Sequence, residues 1–367
     1  MEKILLDDFQ TYMVPHGRTW TDSVSGQYRF NWSASGVEFT FTGTFLSALF
    51  CADNGNELEG PPPYDEKTPK RATWPIIGVF LDDMPQPIRT FQVSGPHESW
   101  LLYRSDDVQA HRFRLIKITE NTKSFLGIQE FHAEGKFEQA QVPKKKRLEV
   151  VGDSITCGYG NESLDPARGF YSDEENSWMA YSMRTGAALD METSLISVSG
   201  ITAVHHDGWP AEYVMEDIYA YTDMPGQVKS GHYTRETCEL WDFKAHHNDF
   251  VVINLGTNDA FATLFSPDTK DEENFAGKYL SFLKKVRGCN GPDTIIVCAL
   301  GSMNYYLYDR ILEAVAQYRK ETEDSKVYTF KFRPMHPMDG IGASGHPSMS
   351  THQKMAAELT DFLKTLL

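Results

Sequence analysis

Cysteine is scarce in this 367-residue sequence, with only Cys51, Cys157, Cys238, Cys289 and Cys298, and no CxxC spacing among them. So few, so scattered and odd in number, they exclude a dense disulfide framework and read as free thiols in a reducing compartment. Long apolar runs are also missing, and with no stretch of membrane-spanning length no membrane partner is expected. The opening Met1-Glu2-Lys3-Ile4-Leu5-Leu6-Asp7-Asp8 lacks the apolar core of a secretory signal, which makes a cytoplasmic protein the expectation. Positive charge is in deficit: 35 Lys and Arg against 51 Asp and Glu leave a formal charge of -16. Such a surface repels nucleic acid and anionic lipid, so the expected substrate is neutral or indifferent to charge.

Apolar residues at 41% and aromatics at 13% suffice for the cores of two ordinary domains. From Tyr12 to His132 the pattern is short and alternating. Val37, Phe39 and Phe41 are interleaved with Glu38 and Thr40, and further apolar runs cover 45–51, 76–81, 100–103, 113–118 and 126–131. Turn signals at Ser33–Gly36, Asp53–Asn56, Asp82–Pro85 and Ser94–Pro96 separate them, so residues 1–138 read as many short strands of an all-β sandwich of jelly-roll type. The Pro-rich, charged stretch Glu57 to Ala72 reads as a surface loop. Residues 139–147, polar and ending in Lys144-Lys145-Lys146-Arg147, read as an inter-domain linker rather than a localisation signal.

Beyond the linker the period changes, and over 148–367 buried strand-like runs alternate with helical ones. Strands are expected at Leu148–Val151, Ser194–Val198, Phe250–Leu255, Thr294–Leu300 and Val327–Phe332. Helices are expected around Ser177 to Leu189, on the face Phe275, Tyr279, Phe282, Leu283 and Val286, on Ile311, Leu312, Val315 and Tyr318, and on Met355, Leu359, Phe362 and Leu363 with a capping box at Ser350 and Gln353. Repeated β-α units of this kind form a doubly wound α/β domain with a parallel sheet of about five strands.

In a parallel sheet every strand ends on one edge, so the residues that follow the strands become neighbours. After the first comes Gly152-Asp153-Ser154, after the second Gly200, after the third Gly256-Thr257-Asn258-Asp259, and after the last a loop with His346-Pro347. Acyl transfer from an ester needs this set. A serine hydroxyl is a poor nucleophile until a base takes its proton, and the carbonyl oxygen, negative in the tetrahedral intermediate, needs donors already aimed at it. Ser154 and His346 are the candidate nucleophile and base. The amides of Ser154 and Gly200 and the side chain of Asn258 are the candidate oxyanion hole.

These four blocks resemble, in order, those of the SGNH/GDSL hydrolase superfamily. The longer run Gly152-Asp153-Ser154-Ile155-Thr156-Cys157-Gly158-Tyr159-Gly160, with a β-sandwich before it, is similar to carbohydrate esterase family 2. The resemblance implies an SGNH-type, flavodoxin-like domain after a jelly roll. It also implies removal of O-acetyl groups from plant polysaccharides such as xylan and glucomannan, by way of an acetyl-Ser154 intermediate and without metal or organic cofactor. SGNH enzymes usually carry an aspartate three residues before the histidine, where this sequence has Ala343, and the nearest upstream acid is Asp339. The resemblance therefore implies a Ser-His dyad whose imidazole N–H is held by a backbone carbonyl.

Asp153 and Asp259 are expected to fix their loops through backbone hydrogen bonds, Asp259 being also a candidate substrate contact, and Cys157 to pack. The pairs His205-His206 and His246-His247 have no ligand spacing and are not read as a metal site. The long connection Ile201 to Asp249 carries Trp209, Tyr213, Tyr219, Tyr221, Tyr233 and Trp241, some of which, Trp209 first, are candidates for a sugar-stacking wall against core packing. The expected substrate is an imported acetylated manno- or xylo-oligosaccharide. A general SGNH lipase, thioesterase or arylesterase is the other enzyme reading, and a catalytically dead carbohydrate-binding protein the reading from another class.

Overall fold

The computed structural model describes residues 2–5, 10–59 and 65–367. They form two compact units. One comprises residues up to Lys144 with Gly169–Glu175 and Thr222–Cys238, and the other Lys145–Arg168, Asn176–Tyr221 and Glu239–Leu367.

The first unit is antiparallel throughout. Its strands are β1 (Glu2–Leu5), β2 (Val14–His16), β3 (Trp20–Thr21), β4 (Tyr28–Arg29), β5 (Gly36–Leu58), β6 (Lys70–Thr73), β7 (Ile76–Leu81), β8 (Arg89–Gln92), β9 (His97–Lys117) and β10 (Ser124–Glu138). Their order is β3-β4-β10-β5-β9-β7-β8, with β1 on β10 and with β2 and β6 on β5. The short, even strands expected from the sequence are instead dominated by three long ones, of 23, 21 and 15 residues. A straight strand of 23 residues would span roughly 75 Å at about 3.3 Å per residue. Yet Val37, Phe39 and Phe41 from the start of β5 and Leu46, Ala48 and Phe50 from its middle share one core. The strand bends at register shifts between Gly43 and Phe45 and between Leu46 and Ser47, which folds one hydrogen-bonded network over itself as a sandwich. Two turn and loop expectations fail for the same reason. Asn54 pairs with Ser124 inside the ladder, and β5 and β6 pair from Gly55↔Thr73 to Leu58↔Lys70, so the ends of the expected loop are strand. Its proline-rich tip, 60–64, lies outside the described residues.

The segment Thr222–Cys238 belongs to this unit because Asp223 collects its donors. Trp20 Nε1 (3.1 Å), Asn31 Nδ2 (2.5 Å), Asn121 Nδ2 (2.8 Å) and the Gly226 amide (3.0 Å) all donate to that buried carboxylate, and Trp32 Nε1 donates to the Thr222 carbonyl at 2.8 Å. Burial of an acid without such partners is costly, so the cluster specifies where the segment docks.

The second unit is a five-stranded parallel sheet in the order β12-β11-β13-β14-β15, made of β11 (Arg147–Gly152), β12 (Glu192–Ser197), β13 (Phe250–Asn254), β14 (Ile295–Leu300) and β15 (Val327–Lys331). β11, β13 and β14 are flanked on both sides and are buried almost along their whole length, as continuous apolar runs require. The helix Asp271–Asn290 buries Phe275, Tyr279, Phe282, Leu283 and Val286 completely. In the helix Tyr308–Thr322 the expected face is narrower, since Leu312 is 38% exposed while Ile311, Val315 and Tyr318 are buried. The last helix, Met349–Lys364, starts earlier than its expected box: Ser348, directly after Pro347, is the cap, and its Oγ accepts the Thr351 amide at 3.3 Å. No described helix is long and apolar enough to cross a membrane.

Candidate active site

β11 is the second strand of the sheet, between β12 and β13, and its end carries Ser154. The chain must turn sharply there, and a Cβ on Gly152 would lie 2.0 Å from Thr156 Oγ1, so only glycine fits. Asp153 then caps a single helical turn, Ser154–Cys157. Its Oδ1 accepts the Ile155 amide (3.0 Å) and its carbonyl accepts the amides of Thr156 and Cys157 (3.0 Å each). Burial pushes the Asp153 carboxyl up to about 7, opposed by the Ile155 amide and reinforced by the charge of Asp259.

Ser154, 8% exposed, lies 2.8 Å from His346 Nε2 through its Oγ. On the other side of the ring, Nδ1 is 3.1 Å from the Ala343 carbonyl. A carbonyl can only accept, so Nδ1 carries the proton and Nε2 is left free to accept the serine hydroxyl. The residue that stands where an aspartate is usual thus reaches the imidazole through its backbone. Asp339 is engaged elsewhere, by Lys354 Nζ at 2.5 Å and Ser350 Oγ at 3.4 Å.

The loop after Ser154 holds that carbonyl. The Ala343 amide donates to Gly160 O (3.1 Å), the Met349 amide to Asn161 O (3.1 Å), and the Tyr159 ring lies over His346 with centroids 4.2 Å apart at 31°. Tyr159 and Gly160 thus support the imidazole and its carbonyl, positions for which the sequence pattern alone assigns no role. Gly158, at φ +80°, caps the turn Ser154–Cys157, and the signal is that the run continues past that cap to a second glycine.

Loss of hydration holds the His346 pKa down at about 4, against the opposing pull of the Ala343 carbonyl. The imidazole is therefore neutral at pH 7 and able to take a proton. The protonated, inactive form appears only as pH falls through that value. A kcat/KM profile on a small acetyl ester should then show its acid limb with an apparent pKa near about 4, well below the ordinary histidine value of about 6.5. A limb at the ordinary value would mean that the imidazole is hydrated in solution.

Asn258 opens the helix Thr257–Phe265 after β13, and its Nδ2 donates to Ile201 O (3.0 Å) and to Asp153 Oδ2 (3.3 Å). It is thereby tied to the residue after Gly200 and the residue before Ser154. Gly200 is solvent-exposed, with φ +80° and open space on its Cβ side. Asp259 is corrected from a candidate substrate contact. It is 0% exposed, and its oxygens accept the amides of Ala203 (2.9 and 3.0 Å) and Val204 (3.3 Å) and face His206 Nε2 (3.0 Å). It fixes the loop that follows Gly200. The aromatic wall is also reduced. Tyr219 is buried with its hydroxyl on Glu149 Oε1 (2.8 Å), Tyr233 packs edge-on against Trp20 (5.6 Å) and Trp241 stacks on His246 (4.3 Å). Trp209 remains half-buried on the loop, with its amide on the His206 carbonyl at 3.3 Å.

Sheet, serine turn and imidazole together define a carboxylic ester hydrolase. Residues 148–359 match the GDSL-like lipase/acylhydrolase model and residues 16–143 the carbohydrate esterase 2 N-terminal model, so the chain belongs to the GDSL-like lipase/acylhydrolase family and carries a carbohydrate esterase 2 N-terminal domain. It is 32% identical over 347 residues to the cellulase/esterase CelE of Acetivibrio thermocellus, a match that covers 92% of this chain and 37% of that protein. The chain thus spans little more than a third of that relative's length. An acetylxylan esterase / glucomannan deacetylase of Cellvibrio japonicus is 24% identical over 351 residues, 94% of this chain and 88% of that one. Among solved structures, a family two carbohydrate esterase from Clostridium thermocellum in complex with cellohexaose aligns with a TM-score of 0.78 and 29% identity, covering 96% of this chain and 98% of that chain.

Proposed function

We propose that this protein is a serine esterase that removes O-acetyl groups from plant-derived oligosaccharide, of mannan or xylan type. The observation that carries the reading is the 2.8 Å contact of Ser154 Oγ with a neutral His346 whose other nitrogen is held by the Ala343 carbonyl. Ser154 attacks the acetyl carbonyl while His346 takes its proton. The oxyanion forms against the Ser154 and Gly200 amides, with the Asn258 side chain as third donor once it turns one N–H from Asp153 Oδ2 (3.3 Å), and His346 returns the proton to the departing sugar oxygen. Water, activated by the same imidazole, then releases acetate from acetyl-Ser154. The substrate class rests on relatives that deacetylate xylan and glucomannan or hold a glucan chain. A surface of net charge -16 suits such neutral chains. None of the five cysteines is in a disulfide, which supports a reducing compartment.

The test is acetate release from acetylated mannan and xylan oligosaccharides by wild type and Ser154→Ala, read by mass in steps of one acetyl. Loss of acetyl groups with wild type alone supports the reading and ranks the two sugars. Trp209→Ala should raise KM on acetylated oligosaccharide several-fold and leave a small aryl acetate unaffected; equal loss on both substrates would assign the indole to packing. A second reading, esterase action on longer acyl chains, is favoured by Phe261, Leu264 and Phe265, which are 46%, 61% and 75% exposed on the helix that begins beside Asn258. A series of aryl esters from acetate to octanoate separates the two, since deacetylation predicts a rate that falls with every added carbon.

A further inference from the structure

A buried histidine near the site has no part in the steps above. The His206 side chain is 0% exposed and lies between two buried carboxylates, with Nε2 3.0 Å from Asp259 Oδ1 and Nδ1 2.8 Å from Asp271 Oδ2. Phe275 stacks on its ring (6.1 Å, 14°), and Lys278 closes the chain with Nζ 2.6 Å from Asp271 Oδ1 and 2.9 Å from the His205 carbonyl. Between two acceptors both ring nitrogens are placed to donate, which only the imidazolium can do. Burial opposes that charge, but the two carboxylates outweigh it and raise the His206 pKa above its ordinary value. His205, by contrast, is 64% exposed and pairs only with Asp217.

What the charge holds is the loop after Gly200. Asp259 accepts the amides of Ala203 and Val204, while its neighbour Asn258 takes the Ile201 carbonyl. Two consecutive residues of one helix thus grip both kinds of backbone group on the four-residue stretch Ile201–Val204. We propose that His206 is a positioning residue for the oxyanion hole. As an imidazolium between Asp259 and Asp271, it pins Asp259 on the Ala203 and Val204 amides and so keeps Gly200 and Asn258 in register with Ser154. The inference rests on the reading of Ser154 as nucleophile and of Gly200 and Asn258 as oxyanion donors. Without the imidazolium, two buried carboxylates face each other across a neutral group, and Asp259 is held by the Ala203 and Val204 amides alone.

The experiment compares wild type, His206→Gln and Asp271→Asn on 4-nitrophenyl acetate, with phenylboronic acid as a probe whose boron accepts the Ser154 oxygen and becomes a tetrahedral, oxyanion-bearing adduct. Loss of one oxyanion donor typically costs about 10²- to 10³-fold in kcat, so a displaced donor in His206→Gln should cost about 10- to 100-fold. KM should stay within about twofold, and the boronate inhibition constant should rise with the fall in kcat, because only the tetrahedral state uses the hole. Asp271→Asn keeps an acceptor for Nδ1 and should cost less, about 3- to 10-fold. A folded His206→Gln, judged by near-UV circular dichroism, with wild-type kcat and boronate affinity overturns the proposal. If that variant does not fold, Asp271→Asn decides, and unchanged kcat and boronate binding there overturn it equally. The esterase reading fails separately, through a wild type that shows no Ser154-dependent acetate release, and takes the proposal with it.

Discussion

Ser154→Ala lowers kcat on an acetyl ester by about 10⁴- to 10⁶-fold, His346→Ala does nearly the same, and the double variant is little worse than either. The reason is that the two side chains perform one step. The serine proton has its exit through Nε2 at 2.8 Å, and an imidazole without that serine has nothing to activate but water. The residual rate is what binding and the oxyanion donors supply alone. A dyad also answers differently from a triad when its third member is considered. A carboxylate orients the ring and stabilises the imidazolium by charge, whereas the Ala343 carbonyl at 3.1 Å supplies the orientation and a weaker, neutral hydrogen bond. Esters of sugars have a better leaving group than amides, so the scheme suits acetyl transfer and predicts negligible action on the matching acetamide. Initial rates of acetate release for the four proteins, together with stoichiometric labelling of wild type by a serine-directed phosphonate, check this. Strictly multiplicative losses in the double variant would show that Ser154 and His346 act in separate steps and would sink the assignment.

Gly160→Ala lowers kcat by about 10²- to 10³-fold, on the scale of a misplaced catalytic group. Gly160 has φ +54°, and a Cβ built there lies 2.5 Å from Ala343 Cβ and 3.2 Å from Ala343 N. The left-handed backbone alone costs an alanine roughly 1–2 kcal/mol, which would show as a melting shift of a few degrees. The clash does more. Ala343 must retreat from the Gly160 carbonyl that holds its amide, and its own carbonyl then leaves His346 Nδ1. Gly231→Ala is the control. It has φ +77° with open space on its Cβ side and belongs to the sandwich unit, so it should lose stability through its backbone alone and keep kcat. Rates normalised to folded protein in both variants make the comparison, and equal kcat in the two would mean that the Gly160 contact does not position the base.

How far the sequence carried is best judged element by element. The parallel domain was legible because its strands are short apolar runs buried on both faces, and the residues that follow them had to share an edge. The meeting of Ser154, His346 and Asn258 at one edge was visible on that ground. The sandwich was legible as a class but not in its strands, because a bulge inserts a residue that breaks the alternation without ending the strand, and Asp53–Asn56 look like a turn while pairing as a ladder. Asp259 fixes its loop as expected, but its second candidacy as a substrate contact, like the choice between sugar wall and core for the aromatic connection, was undecidable from the sequence for one reason. Polarity and ring content say that a side chain needs partners, not whether those partners are a substrate, backbone amides or the core. The Asp223 cluster was illegible because its donors, Trp20, Asn31 and Asn121, are about a hundred or more residues away along the chain.

The carbonyl that orients His346 belongs to no side chain, and this has an evolutionary meaning. Every amino acid brings a peptide carbonyl, so no substitution at position 343 can delete the orienting group; what selection can act on there is bulk, since Gly160 sits against the Ala343 Cβ. The dyad's third member is thus immune to the commonest route by which catalytic acids are lost. It is vulnerable only through the backbone that places it.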